Sequence, residues 1–125
     1  MAEPRCHLTR LSGRAAICQL DPGADVPDWA WHGPLVSVTK TNDELSIVCE
    51  ESSMPQTLSA ARGWCVWKVA GPMDLSTVGV LASITGPLAQ AGISLFAIST
   101  FETEYLLVQE ENAGMAEEVL RRAGA

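Results

Sequence analysis

Gly71-Pro72-Met73-Asp74-Leu75-Ser76-Thr77-Val78-Gly79-Val80-Leu81-Ala82-Ser83-Ile84, closed further on by Gly92 and then by Ile93–Ser99, is the stretch whose reading decides the fold. Turn formers occupy 71–77, and Val80, Leu81, Ile84, Leu88 and Ala91 then recur at helical spacing, which predicts a helix over 78–91. Pro87 lies inside that pattern; lacking a backbone donor, it is expected to kink the helix or split it into two turns. Gly92 supplies the C-terminal stop. Two β-rich runs follow, 93–99 and 105–109, joined through Thr100-Phe101-Glu102-Thr103-Glu104. Upstream, residues 64–70 alternate as a strand. Downstream, Met115, Ala116, Val119, Leu120 and Ala123 line one side of a helix over 113–123, with Glu117 and Glu118 outside. The order is strand, helix, strand, strand, helix.

The first half repeats that order loosely. Residues 15–20 read as a strand, 27–31 as a short helix and 35–39 and 45–50 as a hairpin turning at Asn42-Asp43. A helical turn is expected near 56–62. Leu45, Ile47 and Cys49 alternate with Ser46, Val48 and Glu50, the mark of a strand with one face buried and the other partly so. Two βαββ units predict an α+β fold of mainly antiparallel sheets with helices on one face. Such a fold divides the chain into halves at 1–62 and 63–125.

Composition narrows the function. A chain of 125 residues buries roughly two-thirds of the surface of its extended form, enough to fold without a metal or a disulfide. Fifteen acidic against 8 basic residues give a net charge of −7, and the only adjacent basic pair is Arg121-Arg122, so phosphate backbones repel it and nucleic acid is not the expected partner. The uncharged run beginning at Leu75 is broken by Gly79, Ser83, Gly86, Pro87, Gln90, Gly92 and Ser94, which argues against a membrane span. Residues 1–7 carry no apolar signal region, and Cys6, Cys18, Cys49 and Cys65 are scattered without a metal-ligand spacing; reduced, buried thiols in the cytoplasm are the expectation, with no metal and no cofactor.

Residues 71–82 together with 87–108, and Glu44-Leu45-Ser46-Ile47-Val48-Cys49-Glu50-Glu51 in the first half, resemble the ACT-like domain of small bacterial aspartate-kinase-related proteins. The same type of domain occurs in the arginine-sensing Castor proteins of animal cells. The resemblance implies tandem ferredoxin-like βαββαβ units that bind an amino acid, and association into a homodimer. It extends to the regulatory part of such proteins and not to a kinase domain, which is far larger than this chain. One departure is Glu104, where the family pattern has Asp before the Tyr of the second hairpin strand; the extra methylene alters the reach of that carboxylate.

The start of the 78–91 helix offers free N–H groups to a ligand carboxylate, and Gly79 permits close approach. Asp74 can pair with an α-ammonium, and Ser76 or Thr77 can donate to the carboxylate; their other role is to cap the helix. The resemblance points to the same loop, with Asp74 and the following main chain at Val78, Gly79 and Val80 as the clamp. Ser99, Thr100, Glu102 and Glu104 form a second polar group, with a solvated hairpin tip as the alternative and the favoured reading of Glu102; if Glu104 faces the pocket, a second carboxylate favours a cationic or strongly hydrogen-bonding ligand group. No nucleophile lies beside His7 or His32, and neither GxSxG nor a phosphate-binding loop is present, so no catalytic residue is assigned. The expectation is a regulatory protein and not an enzyme, signalling through an unidentified protein partner. The alternative is an interaction domain that keeps the fold without the ligand.

Overall fold

A computed structural model describes residues 7–70 and 80–123. Its packing divides the chain into two compact units: Ser12–Trp64, and a second built on residues 7–11 with those from Cys65 onward. The expected division at 62/63 therefore differs in one respect. Residues 7–11 group with the C-terminal unit, because β1 (His7–Arg10) pairs antiparallel with the later part of β5 (Ala61–Ala70), Leu8 opposite Val69 and Arg10 opposite Trp67. In His-Leu-Thr-Arg only one residue is strongly apolar, and it is the pairing with β5 that makes the segment a strand. Arg10 holds it down: its guanidinium lies 5.4 Å from the Trp67 ring centroid, donates to Cys65 Sγ at 3.0 Å and meets Glu117 at 3.3 Å.

In the Ser12–Trp64 unit, β2 (Ala15–Leu20) and β4 (Leu45–Glu50) pair antiparallel over six residues, and β3 (Ser37–Lys40) lies on the far side of β4. The alternation read in β4 holds: Leu45, Ile47 and Cys49 are buried with Ala16, Cys18, Ala30 and Met54. The short helix expected at 27–31 is observed as a single 3-10 segment, and no α-helix is found among the described residues of this half. Asp28–Trp31 is a 3-10 turn entered from the extended Pro27; of the helical turn expected near 56–62 one turn closes, Leu58 N donating to Pro55 O at 3.1 Å, and a further 3-10 turn lies at Glu51–Ser53. Ala61 and Arg62 already belong to β5, which begins three residues before the expected strand and pairs with β2 across a register shift. Gly63, at φ +80°, allows that irregularity, and its N–H is taken up by Glu51 Oε1 at 2.6 Å.

In the other unit the expected order is observed. α1 (Val80–Gln90), β6 (Phe96–Ser99), β7 (Glu104–Gln109) and α2 (Ala113–Arg122) follow β5, and β7 lies between β5 and β6. Cys65, Trp67 and Val69 of β5 and Leu106 and Val108 of β7 bury one face against Ile84 and Leu88 of α1 and Ala113, Ala116 and Leu120 of α2, so both helices cover one face. This is the α+β, ferredoxin-like arrangement expected. Pro87 does not split α1, which runs through it to Gln90, and the Pro87 carbonyl accepts from Ala91 N at 3.1 Å. Burial of Ile84 before Pro87 and Leu88 after it, both at most 1% exposed, holds the two turns on one core. Gly92, at φ +75°, ends the helix, and Ile93 N bonds back to Leu88 O at 2.9 Å. Among the described residues no helix is long and apolar enough to cross a membrane.

Leu88→Ala should cost 2–5 kcal/mol, read as a lower urea midpoint, because Leu88 is fully buried between α1 and the sheet. Cys18, Cys49 and Cys65 are free and buried. Burial, then the neighbouring Cys18 and Glu50, push the Cys49 thiol from 9.0 to about 11. Burial also raises Cys18, against an opposing pull from Arg62. A native thiol that keeps its proton while the unfolded one loses it contributes stability below pH 9.0 that is lost as pH rises toward about 11. The thermal midpoint should fall over that window, by less in Cys49→Ala.

Candidate functional site

The expected site has two parts, the loop before α1 and the turn between β6 and β7. Asp74, Ser76, Thr77, Val78 and Gly79 lie outside the described residues, and Val80 is placed as the first residue of α1. The second part is described in full. β6 and β7 pair antiparallel with Ser99 opposite Glu104, and Ser99 Oγ donates to Glu104 Oε2 at 2.6 Å. Thr100 N donates to Thr103 O at 2.8 Å, while Thr103 N donates to Thr100 Oγ1 at 3.1 Å, closing the turn on itself. Glu102 is exposed at the tip.

Thr103 was not among the residues singled out from sequence, yet it positions the rest. It is the one buried polar side chain among the described residues, 8% exposed, and its hydroxyl donates to the Val69 carbonyl. Val69 is two residues before Gly71, where the predicted ligand loop begins. Thr103 therefore ties the turn carrying Ser99, Thr100 and Glu104 to the end of β5. The sequence sign is slight: Thr100 and Thr103 form a T-x-x-T pair whose hydroxyls can close an ST turn.

Of the residues predicted for the site, the turn offers the Glu104 carboxylate and the hydroxyls of Ser99 and Thr100. A carboxylate has roughly four acceptor positions, so Glu104 can hold the Ser99 proton and still accept from a cationic donor. Among the described residues there is no group of three or more His, Cys, Asp or Glu arranged to hold a metal ion.

Comparison with known proteins agrees with this architecture. The model of the ACT domain family matches residues 59–122, half of the chain, and a model of an N-terminal domain found in related proteins matches 13–57. The chain belongs to the ACT domain family. A 72-residue part of it is 39% identical to the cytosolic arginine sensor for mTORC1 subunit 1 of Homo sapiens; the match takes in 57% of this chain and 22% of that protein. A crystal structure of a protein from Agrobacterium tumefaciens superposes with a TM-score of 0.91 at 37% identity, covering 98% of this chain and 91% of that one. The regulatory subunit of aspartate kinase from Thermus thermophilus shares the fold, with a TM-score of 0.64 at 12% identity over 97% of this chain and 98% of that one.

Thr103→Val should cost about 1–3 kcal/mol, because it removes the buried hydroxyl's hydrogen bond to the Val69 carbonyl, whereas Thr103→Ser keeps the hydroxyl and most of the stability. Urea unfolding of the two variants checks this.

Proposed function

We propose that this chain is a regulatory protein that binds an amino acid, with the α-carboxylate on the N–H groups of Val78, Gly79 and Val80, the α-ammonium at Asp74, and Ser76 or Thr77 donating to the carboxylate. Ser99, Thr100 and Glu104 complete the site from the adjacent turn. The observation that carries the reading is the Thr103–Val69 hydrogen bond, which keeps that turn at the end of β5, the strand that precedes residues 71–79 in the chain. Membership of the ACT family supports it, as does the likeness to an arginine sensor and to an aspartate kinase regulatory subunit. We extend the proposal to two ACT-like units in tandem within one chain, divided near 62/63, to a homodimer, and to a cytoplasmic setting like that of the arginine sensor. No catalytic step is assigned. A signal then leaves by contact with a protein partner, which requires that the ligand bind two states of the protein with different affinity.

A second reading, an interaction domain that has lost its ligand, draws on one observation. Ser99 already occupies an oxygen of Glu104, the position where this chain carries Glu instead of Asp.

Thermal unfolding in the presence of each of the twenty amino acids separates the two. A ligand at about 100 times its Kd adds about 2.7 kcal/mol, or roughly 10 °C for a chain of this size. One amino acid should raise the midpoint, and Asp74→Ala should abolish the rise at a cost of about 1 kcal/mol in the free protein. A flat panel, or an undiminished rise in Asp74→Ala, contradicts the binding reading.

A further inference from the structure

The Ser12–Trp64 unit contains three sulfur atoms, those of Cys18, Cys49 and Met54, and all three side chains are buried in one cluster. They are at most 4% exposed, and both thiols are free. The register puts the cysteines on one face of the β2–β4 pair: Ala16 stands opposite Cys49 and Cys18 opposite Ile47, so the two are diagonal neighbours. Diagonal Cα atoms lie about 7–8 Å apart, beyond the roughly 4.4–6.8 Å of a disulfide. A bridging metal ion suits the wider spacing, since two metal–sulfur bonds of about 2.3 Å hold their sulfurs up to about 4.6 Å apart. The segment after Met54 covers the cluster thinly: Leu58 packs on the core, while Pro55, Gln56, Thr57 and Ser59 are exposed. Arg62 fastens this cover, its Nη2 donating to Pro55 O at 2.7 Å and to Leu58 O at 3.0 Å.

We propose that Cys18, Cys49 and Met54 form a binding site for one soft monovalent cation, Cu(I), inside the Ser12–Trp64 unit. Thiolate and thioether sulfur are the ligands that select this ion, and two or three of them satisfy it. Zinc in a closed site takes four ligands, and the other buried members of the cluster, Ala16, Ala30, Leu45 and Ile47, have no donor side chain to offer. The cysteines are remote in sequence, so their spacing gives no sign of the site. Each thiol surrenders its proton on coordination; one Cu(I) entering as the cation releases two protons, and no electron is transferred. The resulting complex of two thiolates and Cu(I) carries one negative charge. Arg62 lies close enough to Cys18 to favour its thiolate and supplies the matching positive charge. Glu50, beside Cys49, adds to the negative field that holds the cation. Entry asks that residues 55–60 lift, which breaks the two hydrogen bonds of Arg62 and leaves β2 and β4 paired.

This site is independent of the amino-acid reading above, and either can fail while the other stands. Anaerobic titration of the full chain into the coloured Cu(I) complex of bicinchoninate, which bleaches as the metal leaves it, tests the site, with circular dichroism to confirm folding of each variant. The chain should take up one Cu(I), and Cys6→Ala combined with Cys65→Ala should leave that uptake unchanged. Cys18→Ala and Cys49→Ala should each weaken it at least about a hundredfold, and Met54→Leu, which keeps the bulk and removes the sulfur, about tenfold. Release of two protons makes the affinity rise roughly a hundredfold per pH unit around neutrality. Zn(II) should not displace the bound Cu(I). Failure to take Cu(I) from bicinchoninate, undiminished uptake in folded Cys18→Ala and Cys49→Ala, or loss of uptake in the combined Cys6 and Cys65 variant overturns the proposal. If the Cys18 and Cys49 variants fail to fold, Met54→Leu and the pH dependence decide it: uptake unchanged by the one, or a rise of only about tenfold per pH unit in the other, overturns it.

Discussion

Val69 is the point at which the C-terminal unit is tied together. It is buried near the end of β5, it pairs with Leu8 of β1, and its side chain joins the core under α1 and α2. A carbonyl in such a place needs a donor, because a buried polar group left unpaired costs about 1–3 kcal/mol. The hydroxyl of Thr103 is that donor. By meeting this requirement it draws the β6–β7 turn to the end of β5, the strand that precedes residues 71–79 in the chain. A demand of backbone chemistry thus sets where the Ser99 and Thr100 hydroxyls and the Glu104 carboxylate stand.

The two halves answer the same sequence pattern differently. The C-terminal unit has two α-helices with buried residues at helical spacing, Ile84 and Leu88 in one and Ala113, Ala116 and Leu120 in the other, and these cover one face of β5 and β7. The Ser12–Trp64 unit buries Ala16, Cys18, Leu45, Ile47 and Cys49 beneath 3-10 turns and loops, with Met54 and the partly buried Trp29 and Leu58 packed on the same core. Short turns present fewer side chains than a helix, so bulk comes from Trp and Met. The buried thiols fit this setting, acting as small apolar side chains whose protons are held up to high pH.

Much of the fold was legible because the signals were local. Period-two alternation marked β4 to the residue, helical spacing marked α1 and α2, and Gly92 marked the end of α1 at a positive φ. What escaped depended on partners remote in sequence. His7–Arg10 has too little apolar content to announce a strand, and only β5 makes it one. Residues 56–62 carry no strong helical face, and their end was drawn into β5 by pairing with β2. Pro87 signalled a break that burial on both sides of it overrode. In the site, Ser99 and Glu104 were visible as polar residues on a hairpin, but Thr103 looked the same as its exposed neighbours. Nothing local shows that its hydroxyl reaches a carbonyl 34 residues away.

The account rests on one claim above others, that residues 74–80 and the 99–104 turn bind a single amino acid together. Backbone amide chemical shifts recorded while the amino acid selected by thermal unfolding is titrated in test this most directly. The account predicts saturable shifts at Asp74–Val80 and at Ser99–Glu104 with one common Kd, and little change across Ala15–Leu20 and Leu45–Glu50. Shifts confined to the Ser12–Trp64 unit, or two parts of the site titrating with different constants, would contradict it.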